Sequence, residues 1–160
     1  MVGTRKSKSG TLASALVSVA GEASDAHAVR LACDLLGPQK GELYIVYVIE
    51  VGMGLPVDAE ISPAAAKGEQ VLKEMEGVAR PYKFRTQAEL LQSRRTGSAV
   101  VQEAMDKEVD AIVLGVDYRE QYGAFSLGDT VPYVLKHAGC RVVLWRDPMP
   151  VAMPSNGGPA

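Results

Sequence analysis

This chain of 160 residues has little of most chemistry-bearing side chains. It has two cysteines, Cys33 and Cys140, far apart and outside any CxxC pair. That spacing argues against a metal site or a redox dithiol and for buried apolar thiols in a reducing cytosol. The two histidines, His27 and His137, have no acidic or cysteine partner at ligand spacing, which speaks for surface or helix-end roles. No GxSxG, HExxH or Walker A pattern is present. No apolar run is long enough to span a bilayer. The net charge is only −2, so nothing draws the chain strongly to nucleic acid or to a membrane. The basic start and the weakly apolar TLASALVSVAGEA imitate a secretory signal, but Ser14 and Ser18 interrupt the run, and a buried strand fits it better.

What is present is an ordinary globular composition, 47% apolar and 22% charged, in a chain of single-domain length. Residues 1–11 read as a mobile leader, 12–147 as one domain and the proline- and glycine-rich 148–160 as a disordered tail. Within the domain, strands and helices alternate. Ala15–Val19 reads as the first strand, Leu43–Val48 as a strand buried on both faces, Phe84–Leu91 as the third, Ala111–Leu114 as the fourth and Arg141–Trp145 as the last. Between them lie four helices. The first carries the stripe Ala28, Leu31, Ala32, Leu35 behind a Ser24 or Asp25 cap and stops at Gly37-Pro38. The second opens at Ser62-Pro63, with Val71, Met75 and Val78 buried, and ends at Pro81. Ser98 caps the third, with the stripe Val101, Ala104, Met105, and the fourth runs Thr130–Ala138 with Val131, Val134, Leu135 and Ala138 inward. Such alternation requires parallel strands joined by right-handed crossovers, hence an open α/β sheet with helices on both faces.

The stretch DAIVLGVDYREQYGAFSLGDTVPYVLKHAGCRVVLW puts Gly115 at a strand end and Gly128 before a helix, where an open α/β sheet receives phosphate-bearing ligands. Together with ALVSVAGEASDA and YVIEV, this stretch resembles the universal stress protein family from about Ala15 to Arg146. The resemblance implies a Rossmann-like fold of the adenine nucleotide alpha hydrolase type. Its sheet has five parallel strands in the order 3-2-1-4-5. It also implies a homodimer paired through the last strand: Arg141, Val142, Val143, Leu144 and Trp145.

Family members that bind ATP resemble G-x2-G-x9-G-[ST] and usually carry an aspartate at the end of strand one. Here Gly115 and Gly128 hold the first and third glycine positions. Tyr118 stands at the second, Asp129 at the hydroxyl position with Thr130 one residue late, and Ala20 at the aspartate position. A tyrosine fills space a phosphate would use. Asp129 adds a negative charge there and is placed to cap the fourth helix itself. Ala20 accepts no bond from a nucleoside. Tyr118 and Tyr122 read as a local lid over the crevice. Arg119 either holds an anion, pairs with Asp129, Asp117 or Glu120, or points into water.

The reading is therefore a cytoplasmic, homodimeric, non-enzymatic binding protein with a degenerate nucleotide site and no assured cofactor. The alternative is a module that still takes ATP or another adenine nucleotide. The candidate site comprises Val19, Ala20, Val48, Leu114, Gly115, Arg119, Gly128 and Thr130. A slow ATPase is disfavoured, because no general base or metal-binding carboxylate array is recognisable.

Overall fold

A computed structural model describes residues 12–37 and 41–149. The expected leader over 1–11, the helix-stopping Pro38 and all but the first two residues of the expected tail lie outside the described residues. The elements follow in the order β1 (Ser14–Val19), α1 (Asp25–Leu36), β2 (Glu42–Glu50), α2 (Ser62–Ala79), β3 (Arg85–Ser93), α3 (Thr96–Asp106), β4 (Ala111–Val116), β5 (Arg119–Gln121), β6 (Ala124–Ser126), α4 (Thr130–His137) and β7 (Arg141–Arg146). Five strands form one parallel sheet in the order β3-β2-β1-β4-β7, the expected topology. The two short strands β5 and β6, in a stretch that reads as loop, make a separate antiparallel hairpin.

Strand alternation divides the core into two layers. Ala15, Val17, Val19, Leu43, Ile45 and Val113 face α1 and α2. Leu16, Val46, Ile112 and Leu114 face the other way, onto α3 and α4. Both sets are buried, so the central strands need apolar residues on both faces, and the sequence supplies them apart from Ser14 and Ser18 in β1.

The helix stripes are rotated from those expected. In α1 the innermost residues are Ala28, Val29, Ala32, Cys33 and Leu36, with Leu31 and Leu35 at the margin. In α3 Val100 is fully buried and Met105 is 61% exposed; in α4 Leu135 is 51% exposed. Met105 and Leu135 each follow an inward residue by one step of 100°, which carries them off the face. Cys33 is buried, and burial pushes its thiol up to about 11; Cys140 is half-buried and shifted the same way. Both are poor nucleophiles at neutral pH. His27 stacks on Trp145 at 5.7 Å, and His137 on Tyr133 at 4.3 Å.

One ionic cluster lies apart from the crevice. Lys107 Nζ is 3.2 Å from Glu89 on β3 and 3.8 Å from Glu103 on α3. Burial, then the bond and repulsion from Glu89, raise the Glu103 carboxyl to about 7, against the pull of Lys107. The folded state thus holds a proton that the unfolded chain releases near 4.5. That contribution is complete below pH 4.5 and is lost as pH rises through 7. Glu103→Gln should flatten this fall and, after discounting the shift for solvent screening, leave the variant about 1 kcal/mol more stable than wild type at pH 8. Urea unfolding at pH 5 and pH 8 checks it.

Candidate functional site

The carboxyl ends of β1 and β4 are neighbours whose chains depart to opposite faces, and between them a cavity of about 240 Å³ opens. Six of the eight expected site residues line it: Ala20, Leu114, Gly115, Arg119, Gly128 and Thr130. Val19 and Val48 do not. Val19 points into the α1/α2 layer, and Val48 packs against the α3/α4 layer two residues short of the end of β2, where Glu50 lines the cavity instead.

The turn after β1 is organised by a carboxylate. Asp25, the first residue of α1, reaches back and accepts N–H bonds from Gly21 (2.7 Å), Glu22 (3.0 Å) and Ala20 (3.2 Å). Three consecutive amides form an anion nest, and the protein's own side chain fills it. Burial pushes the Asp25 carboxyl above its usual range; the three N–H bonds pull the other way, and Asp117 adds to the rise. Neither Ser24 nor Asp25 caps α1 as expected. Ser24 instead donates from Oγ to Asp117 at 2.6 Å and from its N–H at 3.2 Å, tying the start of α1 to the end of β4.

Gly115 is explained by this tie. A Cβ there would stand 2.8 Å from Ser24 Cβ and 3.1 Å from the Ser24 carbonyl oxygen. The glycine lets the α1 turn lie against β4. On the other side, Glu50 at the end of β2 accepts the N–H and the hydroxyl of Thr96, both at 3.0 Å. It therefore satisfies the first turn of α3, where Ser98 is the expected cap. Ser98 donates its hydroxyl to the Arg95 carbonyl instead.

Asp129 precedes α4 but makes no side-chain cap bond. Its backbone is already helical (φ −95°, ψ −30°), whereas a capping side chain works from an extended residue. Its carboxylate lines the cavity. Arg119 pairs with none of its expected partners; its Nη2 is 3.2 Å from Glu22 Oε1. Tyr118 is also displaced from its expected place. It is not part of the cavity wall but stacks on Phe125 at 5.6 Å, out on the hairpin. Nor does Tyr122 form a lid. It sits with Gly123 in the two-residue turn, both at positive φ (53° and 76°), as a right-twisted hairpin requires.

Among the described residues the cavity is thus lined by five acidic residues, Glu22, Asp25, Glu50, Asp117 and Asp129, of which all but Asp129 are engaged by neighbouring donors, and by one arginine, already paired with Glu22. Reading for nucleotide motifs misses four of the five, because each sits at an element end and looks like an ordinary solvated or capping acid. Among the described residues, no group of three or more His, Cys, Asp or Glu side chains is placed to hold a metal ion. No helix among them is long and apolar enough to cross a membrane.

The family model described as "Universal stress protein family" matches residues 14–146. A universal stress protein of Methanocaldococcus jannaschii is 27% identical over 128 residues, covering 76% of this chain and 72% of that protein. The fold is shared with the universal stress protein from Archaeoglobus fulgidus in complex with dAMP, at a TM-score of 0.65 and 16% identity, over 81% of this chain and 94% of the other. It is shared equally with a universal stress protein in complex with cAMP, at a TM-score of 0.64 and 17% identity, over 85% and 98%. The sheet order, the glycines of the two turns and a match over nearly all the described residues agree: the chain belongs to the universal stress protein family.

Proposed function

We propose that this protein is a non-enzymatic, cytoplasmic regulatory member of its family whose nucleotide site has degenerated, so that it does not bind ATP in the usual way. The observation that carries this reading is the charge of the crevice, five carboxylates to one engaged arginine. A triphosphate entering it would meet Asp117 and Asp129 without a free cation to offset them. The nest at the β1–α1 turn is occupied by Asp25. The free thiols suit a reducing compartment. The competing reading, a site for an adenine nucleotide, draws support from the dAMP and cAMP complexes of its structural neighbours, ligands that carry a single phosphate.

Calorimetric titration separates the two. Wild type should give no saturable heat with magnesium-ATP or with AMP up to millimolar concentration. Asp129→Ser removes the charge nearest the α4 amides and supplies a donor, and should gain more affinity than Ala20→Asp does. Reverting Tyr118 to Gly should matter less than either, since that ring lies outside the cavity. Tight ATP binding by wild type would overturn the reading.

The homodimer belongs to the same proposal. β7 is an outer strand of the sheet with Leu144 exposed, and an apolar edge is a hazard unless paired. Pairing Arg141–Trp145 with its copy across a two-fold axis would cover it. Sedimentation at micromolar concentration should give a dimer, weakened by Val142→Pro; a wild-type monomer would refute the assembly.

A further inference from the structure

We propose that the β5–β6 hairpin and the acidic crevice at its root form one docking surface for a basic segment of a partner protein, with apolar residues of that segment against the hairpin and a lysine or arginine side chain in the crevice. The proposal rests on the reading above that the crevice is not a nucleotide site.

The hairpin is the first ground. Its strands have three residues each and pair only with one another. An isolated two-stranded hairpin is marginal in water. Yet this one displays Tyr122 at 98% exposure, Tyr118 at 52% and Phe125 at 49%. Tyr122 sits at a left-handed turn position and is almost fully exposed, and the rings of Tyr118 and Phe125 meet at 5.6 Å in a tilted pair, so the hairpin presents a contiguous aromatic surface. Rigid aromatic anchors of this kind dominate protein–protein contacts.

Charge identifies the occupant. Arg119 in β5 and Leu127 just beyond β6 both line the cavity, so the aromatic surface and the carboxylates are continuous. Beyond the cavity, on the β2 side, the loop after Glu50 exposes Met53 and Leu55. A segment crossing this end of the sheet meets apolar groups on both rims and carboxylates between them. Anionic partners are repelled, which disfavours nucleic acid and phospholipid surfaces. The cavity, at about 240 Å³, is smaller than the roughly 300–1,000 Å³ of small-molecule pockets. It suits one long side chain whose methylenes pass Leu127 while its charge reaches Asp117 or Asp129. Tyrosine faces at the rim also favour a cation.

The test is selection of a random 12-residue peptide library against the full chain, with the recovered peptides synthesised and titrated. Recovered peptides should carry lysine or arginine flanked by apolar residues, and their affinity should fall with added salt. Tyr122→Ser/Phe125→Ser and Asp117→Asn/Asp129→Asn should each weaken binding about tenfold or more, with the two-strand signal of folding intact by circular dichroism for the first pair, whose side chains support no core. Recovery of neutral or acidic peptides, equal binding to the hairpin variant, or preferential binding to phosphatidylserine vesicles or an oligonucleotide would overturn the proposal. Magnesium-ATP titrated into the same samples reports separately: ATP binding that the peptides compete away refutes the degenerate-site reading alone, whereas peptide failure without ATP binding refutes the docking surface alone.

Discussion

Val113→Asp should leave no soluble folded protein. Val113 lies at the centre of β4, paired with Val17 on β1 and Val143 on β7. It is fully buried and packs with the α1 and α2 residues of its layer. Among the described residues, the buried members of that layer are aliphatic side chains, Cys33 and Met75. An ionised carboxylate there costs several kcal/mol or more, and a protonated one still forfeits its water. Removal of the valine packing adds a further few kcal/mol. Domains of this size have about 5–15 kcal/mol of net stability, so the sum exhausts it. Val113→Ala is the calibrating variant: it removes packing without charge, and should fold with a lowered unfolding midpoint. Soluble Val113→Asp with a cooperative transition near that of Val113→Ala would place the side chain outside the core.

The features that set Val113's surroundings are legible without coordinates. Runs such as LYIVYV and AIVLG are apolar at consecutive positions, which in a chain alternating with helices means a strand covered on both sides. Their order in the sheet followed from the resemblance, not from periodicity. Less legible were the limits of the helix faces. Met105 and Leu135 look like stripe residues because both are apolar and near the stripe, yet one residue of rotation separates them from it. The hairpin escaped notice for a different reason. REQ and AFS are too short for alternation to register, and the turn between them is Tyr122-Gly123 rather than the Asn-Gly or Asp-Gly that usually announces such a turn.

The site was half legible. Gly115, Gly128, Arg119 and Thr130 line the cavity, as their place from the end of β4 to the start of α4 implies. The altered positions were recognised, but their roles were not. Tyr118 leaves the cavity instead of filling it, and Asp129 presents its charge instead of capping. Asp25 read only as a candidate cap of α1, and Glu50 had no distinguishing pattern at all. Their bonds run from a helix start back to a strand end and from one strand end across to the next helix, a pairing that only the folded topology creates.

Gly115 itself provides the second large effect. Read as part of a nucleotide motif, the glycine exists so that backbone can approach a phosphate, and an alanine would weaken ligand binding while leaving the fold alone. The packing points elsewhere. Ser24 is buried, held by two hydrogen bonds to Asp117, and its neighbour Asp25 is locked by three backbone donors. A new Cβ at position 115 meets Ser24 Oγ, which is held by its bond to Asp117, Ser24 Cβ at 2.8 Å and the Ser24 carbonyl at 3.1 Å, and none of the three can swing away as the end of a flexible chain would. The start of α1 must shift, loosening the Asp25 nest with it. Gly115→Ala should therefore cost about 1–3 kcal/mol, and Gly115→Val more. Gly52→Ala is the control, since a Cβ there meets nothing within 4 Å and the backbone is not left-handed; it should be near neutral. Ser24→Gly removes two of the three contacts, those of Oγ and Cβ, so in the Gly115→Ala background it should recover part of the loss, although alone it destabilises by losing the Asp117 bond. Denaturant titration of the two singles and the double closes the cycle. Additive losses, or a Gly115→Ala protein as stable as wild type, would show that the strand end has room for a side chain; a positive coupling would show that this glycine is kept by helix packing even where no phosphate is bound.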